Sequence, residues 1–287
     1  MSTGPRRPAV AGQFYAADGS ELARQVEACF TDPRGPGALP ARRRSNRRNV
    51  VAAVVPHAGY PYSGPIAAHV YARLAAERPP ETVVVLGVDH YGSSRGASLS
   101  ARPWLTPLGP TPVDSDLVRA LSEHPLEVDE AAHAREHSIE VQLPFLEYVL
   151  PHPKFVPIQI PYGPYSFLEE VGAVVRRATA GKDVLFLASS DLSHYIPAEE
   201  ARRLDRHAID AILARDPQRL YDVVRRERIS MCGIAPTTAL LGALADRPLR
   251  ATLLRWGHSG EVEPMAEVVG YAGIVLEAAE AAPPTVK

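Results

Sequence analysis

Two unbroken apolar, largely β-branched runs, Val50–Val55 and residues 82–87, carry the strongest pattern along the chain. Runs of this kind mark strands buried on both faces of a parallel sheet. Between them the polar and apolar positions change to a helical pattern reaching Leu74, with Ser63 as the expected cap and Pro65 in the first turn. A strand–helix–strand unit is right-handed, so both strands deliver their C-terminal ends to one edge. Open α/β sheets place ligands at that edge. His57 and His90 each follow a strand there, and are expected on neighbouring strands of one rim.

The remaining pattern extends this unit. A helix after Asp18, capped by Ser20, presents Leu22, Val26 and Phe30 on one face. A short helix capped by Asp114 or Ser115 turns Leu117, Val118 and Leu121 inward, and Ile139, Leu143, Leu146 and Leu150 form a further stripe. Pro144 would kink that last helix unless the turn before it is irregular. Strands are expected at Phe155–Ile160, 184–188, 251–256 and 268–276, with helices at 167–177, after Pro197, after Asp216-Pro217, and from Gly233 to Leu244. No internal repeat or long linker interrupts the series. The expectation is one α/β domain over residues 1–287, with a mostly parallel or mixed central sheet flanked by helices. Residues 32–49 read as a Pro/Gly/Arg-rich connector and 278–287 as a flexible tail.

Composition narrows the function. A chain of 287 residues with 22% charged residues and a formal net charge of −2 is no general polyanion binder. Arg42-Arg43-Arg44 and Arg47-Arg48 lack interleaved aromatics for base stacking, so they read as solvated connector and not as a nucleic-acid surface. Two cysteines, Cys29 and Cys232, exclude a disulfide framework. No stretch has the roughly 18 apolar residues a membrane span needs, and no leader pattern opens the chain. A cytoplasmic protein without membrane or nucleic-acid partners is expected.

The chemistry-bearing residues cluster at strand ends and helix starts: His57, His90, Asp191 with His194, and Cys232. Two imidazoles and one anionic ligand leave open metal positions, as in non-haem iron sites, with thiolate in place of carboxylate. Thiolate favours iron, copper or zinc over magnesium or calcium. On a helix, His137 and Glu140 would share a face, with His137 towards the metal and Glu140 fixing its tautomer or a helix end. His133 and His137, four apart, also suit a metal. Asp191, Ser193 and His194 are too crowded for a hydrolytic triad, and Gly181-Lys182-Asp183 lacks the rest of a phosphate-binding loop.

Gln13-Phe14-Tyr15, Pro56-His57-Ala58-Gly59-Tyr60 with Tyr62-Ser63-Gly64, and Glu136-His137-Ser138-Ile139-Glu140 resemble the Memo family. So do Ser189-Ser190-Asp191-Leu192-Ser193-His194-Tyr195, Met231-Cys232-Gly233 and Val269-Gly270-Tyr271-Ala272. Prokaryotic members are also called AmmeMemoRadiSam system protein B. The resemblance implies the fold of class III extradiol dioxygenases and a metal pocket of His57, His90 and Cys232, lined by the catalytic candidates Asp191 and His194. His137, Glu140, Tyr62 and Ser63 are expected behind the ligands or against substrate. Iron or copper is the implied metal, with zinc the alternative. The implied function is a redox, dioxygenase-like protein; the alternative is a module that binds a small molecule or peptide and has lost the chemistry. A radical-SAM-linked partner system is also implied. Gly87-Val88-Asp89 stands where the family often has Gly-Pro-Asn, and Glu261 follows Ser259-Gly260 where it usually has Asp; either could alter hydrogen bonds around the ligands.

Overall fold

A computed structural model of the protein describes residues 4–41 and 45–279. Arg42, Arg43 and Arg44 of the expected connector, and residues 280–287 of the expected tail, lie outside the described residues. In chain order the elements are α1 (Gly19–Thr31), β1 (Val50–Val55), α2 (Tyr60–Ala75), β2 (Thr82–Val88), β3 (Ala97–Leu99), β4 (Trp104–Thr106), β5 (Gly109–Thr111), α3 (Ser115–Leu121) and β6 (Leu126–Val128). A 3-10 turn at Glu140–Gln142 leads into α4 (Leu143–Val149), β7 (Phe155–Ile160), α5 (Tyr165–Ala178), β8 (Val184–Ser189) and β9 (His194–Ile196). The chain ends with α6 (Ala198–Leu213), α7 (Pro217–Arg226), α8 (Ile234–Ala243), β10 (Leu249–His258) and β11 (Val268–Ala278).

Among the described residues one nine-stranded sheet has the order β10-β11-β1-β8-β2-β7-β3-β6, with β9 paired to β11, while β4 and β5 form a separate hairpin. Its centre, β1-β8-β2-β7, is parallel, and β11 joins β1 antiparallel. Alternation along the central strands divides the interior into two cores. Val84, Leu86, Phe186 and Ala188 face α5, α6, α7 and α8, whereas Val83, Val85, Leu185 and Leu187 face α1, α2 and α4. Full burial of each large aliphatic side chain contributes roughly 1.5–3 kcal/mol, so both faces hold the sheet. The fold is the expected α/β domain with a mixed sheet between helices. No helix among the described residues is long and apolar enough to cross a membrane.

Several local expectations change. β1 and β2 are parallel but not neighbours, because β8 pairs with both and lies between them. Asp18, not Ser20, caps α1, and Asp114 caps α3. α2 begins at Tyr60 behind Gly59, not at Ser63, which puts Pro65 inside the helix. A proline there cannot donate to the carbonyl four residues back. Arg34 Nη2 bonds that Pro61 carbonyl at 3.1 Å instead. The turn before Pro144 is the irregular one required, a 3-10 turn, so α4 starts without a kink. Ala278 pairs with Leu249 in the last strand and is no part of a tail.

Candidate metal centre

The sheet register explains why distant residues meet. Val55 pairs with Ser189, and Leu86 with Ala188, so the parallel strands β1, β8 and β2 end nearly level. His57 and Asp191 each lie two residues beyond the Val55–Ser189 pair, and His90 two beyond the end of β2. Cys232 arrives just before α8, where Gly233 N donates to Ser190 Oγ at 3.1 Å. A Cβ at position 233 would stand 2.2 Å from Ser190 Cβ, so only glycine permits this approach. His57 Nε2 lies 3.3 Å from Cys232 Sγ, and donor atoms of His57, His90 and Cys232 all fall within 4.8 Å of one another.

The surroundings of His57 set its tautomer. Gln142 Oε1 accepts from Tyr71 Oη at 2.7 Å, and Gln142 Nε2 donates to Pro56 O at 3.0 Å and Ser189 Oγ at 2.8 Å. Ser189 spends its own proton on Ser138 O at 2.6 Å. Towards His57 Nδ1, 2.9 Å away, that hydroxyl therefore only accepts. Nδ1 carries the hydrogen, and the Nε2 lone pair faces Cys232. Burial first, then His137 and His90, push the His57 pKa well below its ordinary value, which keeps the ring neutral.

His90 reaches the same tautomer by another device. Its Nδ1 donates to Glu136 Oε1 at 2.9 Å and its backbone N–H to Glu136 Oε2 at 2.9 Å. Glu136 Oε1 also accepts from His137 N and Ser138 N at 2.9 and 2.8 Å. Burial works to raise the Glu136 carboxyl, but the His90 hydrogen bond and charge and the Ser138 N–H outweigh it and bring it to about 2. An ionised carboxylate behind an imidazole fixes the ring and raises its basicity towards a metal. His137 stacks on His90 with centroids 4.7 Å apart and meets His57 edge-on at 5.6 Å; burial lowers its pKa to about 4.

Asp191 Oδ1 accepts from His57 N at 2.7 Å and Ala58 N at 3.3 Å, pinning the loop after β1. Burial pushes this carboxyl up to about 6. Burial, and next the nearby Asp191, also push the Cys232 thiol up. Its hydrogen has two acceptors within reach, His57 Nε2 at 3.3 Å and Asp191 O at 3.6 Å. His194 Nδ1 sits 2.8 Å from both Leu192 O and Ser230 O. Carbonyls only accept, so Nδ1 carries a hydrogen, and Nε2 is the ring nitrogen these two bonds leave unused.

The helical spacing argument fails for His133, His137 and Glu140, because residues 131–139 are not helical. His133 is buried against Trp104, with Nε2 3.1 Å from Ser98 O, outside the cluster. The Glu140 carboxylate does not bond His137; it accepts from Arg6 Nη1, Ala9 N, Val10 N and Tyr15 Oη at 2.6–3.0 Å. Ser63 Oγ donates to Ala58 O at 2.8 Å, within the His57 loop, and Tyr62 Oη bonds Glu263 at the surface at 3.1 Å. The two family departures make no bond to the His57, His90 and Cys232 side chains among the described residues: Asp89 accepts from Ser93 and Ser94, and Glu261 pairs with Arg255 at 3.1 Å. Sequence reasoning gives no role to Glu136, Ser189 or Gln142: each is a polar residue beside apolar ones, but nothing local names the partner it takes. Glu136 also forms a second group of metal-type donors with His90 and His137.

The family model for Memo-like proteins matches residues 6–275. A "MEMO1 family protein" of Methanopyrus kandleri is 42% identical, covering 94% of this chain and 98% of that one. Another, from Aeropyrum pernix, is 38% identical over 94% of this chain and 98% of its own. An uncharacterized Escherichia coli K12 protein of known structure shares the fold, with a TM-score of 0.54 over 79% of this chain and 100% of that one, at 16% identity. With its family model spanning nearly the whole sequence and its cluster of His57, His90 and Cys232 at one sheet edge, the chain belongs to the Memo family.

Proposed function

We propose that the protein is a metal-dependent redox protein whose ion is held by His57, His90 and Cys232. The observation that carries this is the convergence of two tautomer-fixed imidazoles and a thiol within 4.8 Å. The residues fit a soft divalent ion: two neutral nitrogen lone pairs and one sulfur that becomes anionic on binding. Iron or copper would supply electron exchange and Lewis acidity there, whereas zinc would supply only the second. His194 holds its Nδ1 hydrogen on two carbonyls, so proton exchange with a bound substrate takes place at Nε2. Asp191 positions the His57 backbone through Oδ1. His137, stacked on His90, bounds the space next to the ligands.

Metal analysis of protein purified without oxygen and without added metal tests the reading. One iron or copper per chain is expected, with Cys232→Ser losing it and His133→Ala retaining it. Sub-stoichiometric metal, unchanged by Cys232→Ser, would sink the proposal. Metal-dependent oxygen consumption over a panel of reductants and catechols then tests redox function separately.

A further inference from the structure

Beside the ligands a cleft of about 610 Å³ opens between the end of β2, Tyr162 and the connection from α7 to α8. His90 and Cys232 form one end, Ile229, Met231 and Ile234 an apolar wall, and Arg225 and Arg228 the rim. The volume suits a small molecule. Its charge is unbalanced. Asp89 is the acid in the lining, and its carboxylate is already engaged by the N–H and hydroxyl groups of Ser93 and Ser94. Arg225 donates to Tyr221 Oη at 2.6 Å, and among the described residues neither arginine has a carboxylate within ion-pair distance. Asp222, the acid nearest in sequence on α7, accepts from Gln218 Nε2 at 3.0 Å.

Basic residues at a helix C-terminus answer the macrodipole, and this accounts for Arg225 and Arg226, of which Arg226 also pairs with Glu227 at 3.3 Å. It does not account for Arg228, which lies past the helix end. Its backbone is left-handed, φ 54°, where glycine is the usual choice. Arg215, after α6, has the same conformation, but its guanidinium is spent on Arg247 O at 3.0 Å. Among the described residues the Arg228 guanidinium makes no such bond, and it stands exposed on the cleft beside Arg225.

We propose that this cleft binds a small organic anion, a carboxylate or phosphate ester on an apolar body. Its charged group lies between Arg225 and Arg228 and its apolar body on Ile229, Met231 and Ile234. A guanidinium fork matches either oxyanion in two-point contact. The proposal deepens the metal-centre reading by naming the ligand class that reaches His90 and Cys232, but anion binding itself requires no metal.

The test is a ligand-observed NMR titration of the full chain with benzoate, phenyl phosphate and the neutral benzamide, on metal-free and zinc-loaded protein. At least one anion should bind metal-free protein about tenfold or more tighter than benzamide, as expected for charge-assisted hydrogen bonds. Which anion wins separates carboxylate from phosphate ester. Arg228→Gln and Arg225→Gln should each weaken that anion roughly three- to tenfold and leave benzamide unchanged. Equal binding of the anions and benzamide would overturn the proposal. So would anion binding that needs zinc and ignores both substitutions, since the anion would then sit on the metal. Stoichiometric zinc without anion preference sinks this proposal alone; anion preference without metal uptake sinks the metal reading alone.

Discussion

Glu136 and Glu140 lie four residues apart with side chains wholly shielded from solvent, yet they hold different parts of the protein. Glu136 turns to the sheet edge and takes four donors, two from His90 and the N–H groups of His137 and Ser138. Glu140 turns to the N-terminal segment and takes Arg6, Tyr15 and the backbone of Ala9 and Val10. One buried carboxylate orients the His90 imidazole, and the other fastens a strap across the outside of the fold. Burial and charge alone do not distinguish these roles; the donors do. The chain between them is not helical, so the spacing of four that would put them on one helix face does not apply.

The largest effect on metal affinity among these residues is expected for Glu136→Gln. Every partner of this carboxylate is a donor, so an amide nitrogen in its place must face at least one N–H. Loss of His90 orientation should weaken metal binding roughly 10- to 100-fold, read by competition with a chromophoric chelator. A linked pH effect checks the charge. The folded-state pKa of about 2 lies below the ordinary 4.5, so Glu136 contributes stability above pH 4.5 that is lost as pH falls towards 2. The stability gap between metal-free wild type and Glu136→Gln should therefore narrow over that interval in urea unfolding. A constant gap would mean that packing, not charge, sets the value of Glu136.

Gln142 sharpens the contrast, because it serves His57 with neutral groups as Glu136 serves His90 with a charge. Gln142→Leu leaves Tyr71 Oη, Pro56 O and Ser189 Oγ short of a partner. Each buried group left unpaired costs roughly 1–3 kcal/mol, so destabilisation of about 2–5 kcal/mol is expected. Metal affinity should fall by about tenfold, since Ser189 stays in place and His57 Nδ1 can still donate to it. A fall as deep as that of Glu136→Gln would show that a neutral network orients an imidazole as firmly as a carboxylate.

These residues also mark what the sequence made legible. The central strands were readable because runs such as Val50–Val55 have no polar face to confuse the period. The convergence of His57, His90 and Cys232 is readable because each follows a strand or precedes a helix. The neighbours of β1 were not: β8 comes from more than a hundred residues downstream, and only long-range pairing decides where it inserts. The i, i+3 rule that predicts Glu140 beside His137, fixing its tautomer or a helix end, holds for a helix, whereas His137 lies in irregular chain before a 3-10 turn. Once the helix is removed, the residue next to His137 in sequence becomes its carboxylate partner. Gln142 and Ser189 escaped because a hydrogen-bond chain through four segments has no local signature.

The smallest effect on metal is expected from Glu140→Gln, chemically the same change as at position 136. The amide oxygen can keep one pair of donors, Arg6 with Ala9 N or Tyr15 with Val10 N, but the nitrogen cannot accept from the other pair, and the negative charge is gone either way. Arg6, stacked 4.0 Å from the centroid of the Trp104 ring, is then a buried cation without its counter-charge. Breaking one side of such a pair costs roughly 3–5 kcal/mol. Arg6 also donates to His133 O at 2.9 Å and Glu136 O at 2.6 Å, so it touches the loop behind the ligands. Those two bonds go to backbone carbonyls and survive the substitution, which leaves the Glu136 carboxylate where it is. Urea unfolding should therefore show a clear loss of stability, while chelator competition in native buffer shows metal affinity within about threefold of wild type. An affinity loss matching that of Glu136→Gln would mean that the strap and the metal centre form one cooperative unit, and the division of labour between the two glutamates would fall.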